Sequence, residues 1–171
     1  VCDLPRHPDC GLSIDHHQSN APGEDEDGGV VIIWRGTPSA ARIAYDLLKG
    51  EVDLSDLEDM LVWVDKLDGG GIDREEFRSD HPVIWLGRVV DIESGIANHI
   101  LEALQHGVSV DDVLSDPAVA PALKHRRARQ AEIDSAIAES THVVDRLAIV
   151  RLEDRNMRSN GYHVTALVGE D

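Results

Sequence analysis

Cysteine, lysine and aromatic side chains are scarce in this chain of 171 residues, and its longest apolar runs, 30–34 and 83–86, are only a few residues long. A bilayer-spanning helix needs roughly 20 consecutive apolar residues, so none is expected, and no signal peptide or lipidation motif is visible. Two cysteines, Cys2 and Cys10, are too few to staple a secreted fold and lack the C-x-x-C spacing of a metal pair, which points to a reducing cytoplasm. Positive charge is also short: 33 Asp and Glu against 16 Lys and Arg leave a formal charge of −17. Such a chain repels a phosphate backbone unless cations or a local basic patch intervene, which excludes general coating of nucleic acid. The three lysines, Lys49, Lys66 and Lys124, leave a surface suited to a high-salt cytoplasm, and a GC-rich genome would favour arginine equally. What is present is enough apolar residue, 42%, to bury a core.

The chain opens on Val-Cys-Asp-Leu-Pro, which reads as the end of a strand, and closes on Gly-Glu-Asp with no finishing element, so a piece of a longer protein is expected. Leu12 and Ile14 alternate with Gly11 and Ser13, a strand pattern that delivers Asp15, His16 and His17 to its carboxyl end, where open α/β sheets carry their chemistry. The stretch 18–29 reads as an exposed loop, its four acids at 24–27 solvated, before a second strand at 30–34. Thr37 is the expected cap of a helix with Pro38 at its first position, Ala40, Ala41, Ala44, Leu47 and Leu48 on one face, and Gly50 as its stop. A second helix starts near Asp53, carries Leu54, Leu57, Leu61, Val64 and Leu67, and ends in three glycines; Asp65 and Asp68 lie three apart near that end, on one face.

Further on, 72–82 reads as polar loop, 83–86 as a short apolar segment, 89–106 as a helix, and Ser109 with Asp112 as the start of another. Residues 121–140 form a thinly apolar, charged helix of the kind that connects domains, and 143–152 and 162–168 read as strands.

The chemistry concentrates in Asp15-His16-His17, preceded by Asp3. Two adjacent histidines after an aspartate are costly to bury without a partner, and imidazole with carboxylate oxygen suits a divalent metal. Asp3, Asp15, His16, Asp65 and Asp68 are the available ligand types. Phosphoryl transfer has this requirement: two ions roughly 3.5 to 4 Å apart activate water and neutralise phosphate oxygens, while a second histidine donates to the phosphate or the leaving oxygen.

These residues resemble the DHH phosphoesterase superfamily, named for the triplet that stands here at 15–17. The members include manganese-dependent pyrophosphatases, exopolyphosphatases, single-strand exonucleases, nano-RNA hydrolases and cyclic-dinucleotide phosphodiesterases. Asp3 is similar to the family's second motif, the run from Thr37 to Leu48 to the helix after the DHH strand, and Val64-Asp65-Lys66-Leu67-Asp68 to the fourth motif. The resemblance covers about the first 70 residues. It implies that Asp3, His16 and one of Asp65 or Asp68 ligate metal, that Asp15 orients His16 from behind, and that His17 faces the substrate phosphate. The implied cofactor is Mn2+, with Mg2+ or Co2+ as substitutes. The implied fold is α/β: a parallel-sheet domain flanked by helices over 1–118, a connector helix over 119–142, and the opening of a second α/β substrate domain over 143–171. Two family motifs are missing, a His-x-x-x-Asp-x-Asp loop upstream of Asp3 and the glycine- and histidine-rich phosphate site of the second domain.

The expectation is a cytoplasmic metal-dependent hydrolase of a phosphodiester or phosphoanhydride, such as an oligonucleotide, cyclic dinucleotide, pyrophosphate or polyphosphate. The alternative is a catalytically incomplete relative that binds metal or nucleotide as a regulatory module. A small phosphorylated molecule or short oligonucleotide is the expected partner, with no membrane, and a homo-oligomer is compatible with this. The basic run 124–129 reads as a solvated helix face that would otherwise steer a polyanion, glycines 69–71 as a helix stop without the Lys-Ser/Thr of a phosphate loop, and Trp34, Trp63 and Trp85 as core. The remaining histidines show no ligand spacing.

Overall fold

The computed structural model describes residues 1–7, 9–22, 30–90, 94–153, 157, 159 and 161–169. The acidic stretch 24–27 and residues 91–93, near the start of the helix expected over 89–106, lie outside the described residues. Two compact units divide the chain, 1–72 and 73–171.

In the first unit, β1 (Leu12–Asp15) pairs in parallel with β2 (Val31–Trp34), Leu12 opposite Val31 and Asp15 opposite Trp34. On the other side of β1, Cys2 forms a parallel bridge with Ile14, and the Asp3 N–H donates to the Ile14 carbonyl at 2.9 Å. Three chain segments therefore end along one edge and present Asp3, residues 15–17 and residues 34–37 together. Ser13 and Asp15 are the buried residues of β1, whereas Leu12 is exposed. Helices α1 (Ala40–Leu48) and α2 (Glu58–Asp68) complete the unit, with Ala40, Ile43 and Leu61 buried.

Serine rather than threonine caps α1. The Ser39 hydroxyl accepts the Arg42 N–H at 3.0 Å, while Thr37 donates its own hydroxyl to the Ser39 carbonyl at 2.9 Å, so Pro38 precedes the cap. The Ser39 hydroxyl also donates to Asp65 at 2.6 Å, and this bond to α2 selects it over Thr37.

The second unit is mainly helical. The segment expected to be loop holds α3 (Arg74–Arg78), nucleated by a capping box in which Asp73 and Glu76 each accept the other's backbone N–H. The apolar run at 83–86 belongs to α4 (Pro82–Val90), a separate helix from α5 (Ser94–Gln105). With α6 (Val110–Ser115), capped by Ser109, these surround a core of Trp85, Leu86, Val89, Ile100, Val113 and Val119. The long helix α7 (Ala120–Ser140) buries Ile133, Ala136 and Ile137, and the hairpin β3 (Thr141–Val144) and β4 (Leu147–Val150) follows it. The strand expected over 162–168 is instead a helix, α8 (Gly161–Val168), with His163 and Ala166 buried three positions apart. Its carbonyl end is satisfied by Arg74, which donates to Ala166 at 2.8 Å and to Gly169 at 2.9 Å. Among the described residues, no helix is long and apolar enough to cross a membrane.

Candidate metal centre

Asp3 stands in a left-handed backbone conformation, φ 60°, which a short polar side chain tolerates better than most. From there its carboxylate reaches His16, with Oδ1 3.3 Å from the ring Nε2. Asp68, in the last turn of α2, brings Oδ2 within 3.1 Å of the same nitrogen. One ligand atom each from Asp3, His16 and His17 lies within 4.8 Å of the others.

The state of His16 carries the chemical argument. Its Nδ1 lies 3.1 Å from the Thr37 carbonyl oxygen, which only accepts, so Nδ1 holds the proton. In the neutral ring Nε2 is then a lone pair. That nitrogen is buried, makes no hydrogen bond, and faces two carboxylates. A lone pair and two carboxylate oxygens directed at one another suit a cation between them, and neutral imidazole fixed by a backbone carbonyl is the ordinary state of a metal-ligating histidine. The donor set of one nitrogen and carboxylate oxygens fits a divalent first-row metal or magnesium. Burial, then the neighbouring Asp3 carboxylate, push the Asp68 carboxyl above its ordinary range, with His16 and His17 acting the other way.

Asp15 serves the other histidine. Beyond the end of β1 the rings of His16 and His17 come together, 4.4 Å apart, and Asp15 stands behind the second of them. Asp15 accordingly accepts from the His17 N–H at 2.8 Å and from His17 Nδ1 at 2.9 Å, and its second oxygen accepts from the Asn20 amide at 2.6 Å. The expectation that Asp15 orients His16 is thus corrected: it orients His17, and the Thr37 carbonyl orients His16. Burial would raise the Asp15 carboxyl, but the hydrogen bonds from His17, Asn20 and the His16 backbone prevail and hold it at about 2. The Asp15 hydrogen bond in turn holds the His17 imidazole above its ordinary range, aided by the charges of Asp15, Asp3 and Asp68. His17 keeps a half-exposed ring, and the indole N–H of Trp34 donates to its backbone carbonyl at 2.9 Å.

Of the two aspartates on α2, the structure brings Asp68 into the cluster and engages Asp65 elsewhere. Asp65 accepts from Ser39 at 2.6 Å and from the Arg42 guanidinium at 2.8 and 2.5 Å, joining α1 to α2. Sequence reasoning missed the parts played by Asn20, Thr37 and the Ser39–Arg42 pair. Asn20 stands three residues after the Asp-His-His triplet and its short polar side chain after a strand end was a readable signal, whereas a backbone carbonyl has none.

No protein-family model and no curated protein sequence matches the chain. Among solved structures it is similar to the pGpG-specific phosphodiesterase PggH from Vibrio cholerae, with a TM-score of 0.74 and 21% sequence identity over 96% of this chain and 57% of that one. The chain thus spans little more than half the length of that enzyme. The expected mixed α/β class, a small parallel sheet flanked by helices, is the one found, and it is a fold shared with that phosphodiesterase.

Proposed function

We propose that the chain is the metal-binding portion of a hydrolase that cleaves a phosphodiester or phosphoanhydride, with Mn2+ as its metal and Mg2+ or Co2+ as substitutes. The observation that carries this reading is the buried lone pair of His16 Nε2 facing Asp3 and Asp68, with Thr37 fixing the tautomer. Asp3, His16 and Asp68 are the residues that would hold metal. Divalent ions in such a site supply charge neutralisation at phosphoryl oxygens and a more acidic water.

The chain's own side chains account for the rest. His17, kept protonated more readily by Asp15, donates to a phosphate oxygen or to the departing oxygen. Asp15 holds that ring in place and, because it stays ionised, does not compete for the proton. The neighbour is named for a linear dinucleotide substrate, which favours a phosphodiester in a short oligonucleotide over pyrophosphate or polyphosphate. In this reading, 1–118 serves as the hydrolase domain, 119–142 as connector and 143–171 as the opening of a substrate domain, in the cytoplasm.

The test uses protein stripped with EDTA, then supplied with Mn2+, Mg2+ or Co2+ and offered pGpG, pyrophosphate and a nitrophenyl phosphodiester. Metal-restored product release is expected, with a loss of at least about 100-fold in His17→Ala, the low end for a proton donor in phosphoryl transfer. Tight metal binding by calorimetry without turnover of any substrate would leave a metal-binding regulatory module. No metal binding at all would refute the site.

A further inference from the structure

The basic run at 124–129 is not used by the metal cluster, and the structure divides it. Arg127 turns to the Trp85 ring, 4.9 Å from its centroid, and pairs with Asp80 at 3.2 Å. Arg126 and Arg129, one helical turn apart on α7, instead line an open cleft of about 860 Å³. Ile133, Val150, Leu152 and Met157 supply apolar lining beside the arginines. The Met157 N–H donates to the Leu152 carbonyl at 3.4 Å.

Arg129 spends one guanidinium nitrogen on Glu132, at 2.9 Å. Arg126 has no such partner: its Nε is buried without a hydrogen bond, and no carboxylate among the described residues forms an ion pair with it. A buried guanidinium nitrogen left unsatisfied is unfavourable until an acceptor arrives. Burial and then the charge of Arg126 push the neighbouring Arg88 guanidinium below its ordinary value, with Asp134 and Asp80 acting the other way. In a chain of net charge −17 this is a rare place where an anion is attracted.

We propose that this cleft binds a phosphorylated ligand of nucleotide size, its phosphate on Arg126 and Arg129 and its flat apolar body against Ile133, Val150, Leu152 and Met157. Two guanidinium forks suit a phosphate group, and the volume falls in the range of small-ligand sites, roughly 300 to 1,000 Å³. Glu153, also in the lining, offers a carboxylate to an N–H on the edge of a base. The site lies wholly in the second unit, uses none of the metal-cluster residues and goes beyond the proposed hydrolysis.

The experiment is calorimetric titration of the full chain with GMP and AMP in EDTA, alongside inorganic phosphate and guanosine. Working without metal makes the result independent of whether the hydrolase reading holds. A dissociation constant for a monophosphate below about 1 mM is expected, with guanosine and inorganic phosphate each at least about ten-fold weaker, a difference of about 1.4 kcal/mol. Arg126→Gln and Arg129→Gln should each weaken the monophosphate by about ten-fold or more, whereas Arg127→Gln, in the same run but outside the cleft, changes it by less than about three-fold. On the unmutated chain, GMP should slow amide exchange across 126–133 and 150–153. The proposal is overturned by the absence of monophosphate binding, by inorganic phosphate binding as well as GMP, by equal losses in all three arginine variants, or by exchange protection that spares those segments.

Discussion

His16 and His17 are neighbours with rings 4.4 Å apart, yet opposite supports give them different chemistry. A carbonyl behind His16 leaves it a lone pair, and a carboxylate behind His17 gives it a tightly held proton. The triplet was readable in the sequence because three ligand-type residues at the end of an apolar alternation have few structural explanations. Its division of labour was not, because the support behind His16 is the carbonyl of Thr37, 21 positions away, and that behind His17 is set by the turn of the chain after Asp15. Asp15 shows the cost of that arrangement. Its carboxyl falls from 3.8 to about 2 on folding, a contribution of about 2 kcal/mol. This stability is present above the unfolded value near 4 and disappears as pH falls through 2. Urea melts of metal-free protein should therefore show Asp15→Asn less stable by about 2 kcal/mol at neutral pH, the gap closing between about pH 4 and pH 2. A gap that persists at pH 2 would assign the loss to packing. The two aspartates on α2 separate in the same spirit: Asp68→Asn should weaken Mn2+ by about ten-fold or more, while Asp65→Asn should cost about 1 to 3 kcal/mol of stability and leave metal affinity nearly unchanged. Equal effects on metal affinity would mean that both carboxylates reach the ion.

At the scale of elements, the helices α1 and α2 follow from apolar spacing and stop signals that lie within each segment. The failures have nonlocal causes. Val164, Ala166 and Val168 alternate as a strand would, but α8 is held by Arg74, 92 positions from Ala166 in sequence, and by the burial of His163. Likewise the α1 cap passes from Thr37 to Ser39 because Ser39 has a partner on α2. The seam between α1 and α2 is also tight at its far end. A methyl group on Gly69 would lie 2.8 Å from the Asp65 carbonyl oxygen and 3.1 Å from Pro38 Cβ, against backbone and a rigid ring that give little. Gly69→Ala should therefore cost about 1 to 3 kcal/mol and, because Asp68 is the adjacent residue, lower Mn2+ affinity as well. Calorimetry and thermal melts of this variant beside Ser39→Ala, expected to lose about 1 kcal/mol with metal affinity retained, test whether α2 positions its aspartate through this seam. Unchanged metal affinity in Gly69→Ala would show that the end of α2 yields without moving Asp68.

For the whole molecule, the division into units 1–72 and 73–171 makes metal binding a local event with a measurable boundary. Every residue of the cluster, Asp3, His16, His17 and Asp68, belongs to the first unit. A ligand that binds only the folded state stabilises it by an amount set by concentration over dissociation constant, about 2.7 kcal/mol at 100-fold excess, and slows exchange through opening of that unit by about 100-fold. The second unit has its own core around Trp85, Val89 and Val113 and gains nothing from the ion unless both units open as one. Hydrogen exchange of EDTA-treated protein, before and after Mn2+, should therefore show protection that rises in 1–72, returns to baseline when EDTA is added again, and leaves α4 to α7 unchanged. Added salt makes the control. With a net charge of −17, screening relieves self-repulsion throughout the chain, so 0.5 M KCl without metal should slow exchange in both units. Were Mn2+ to reproduce that uniform pattern, it would be acting as a counterion to the acidic surface, and the cluster at Asp3, His16 and Asp68 would not be its site.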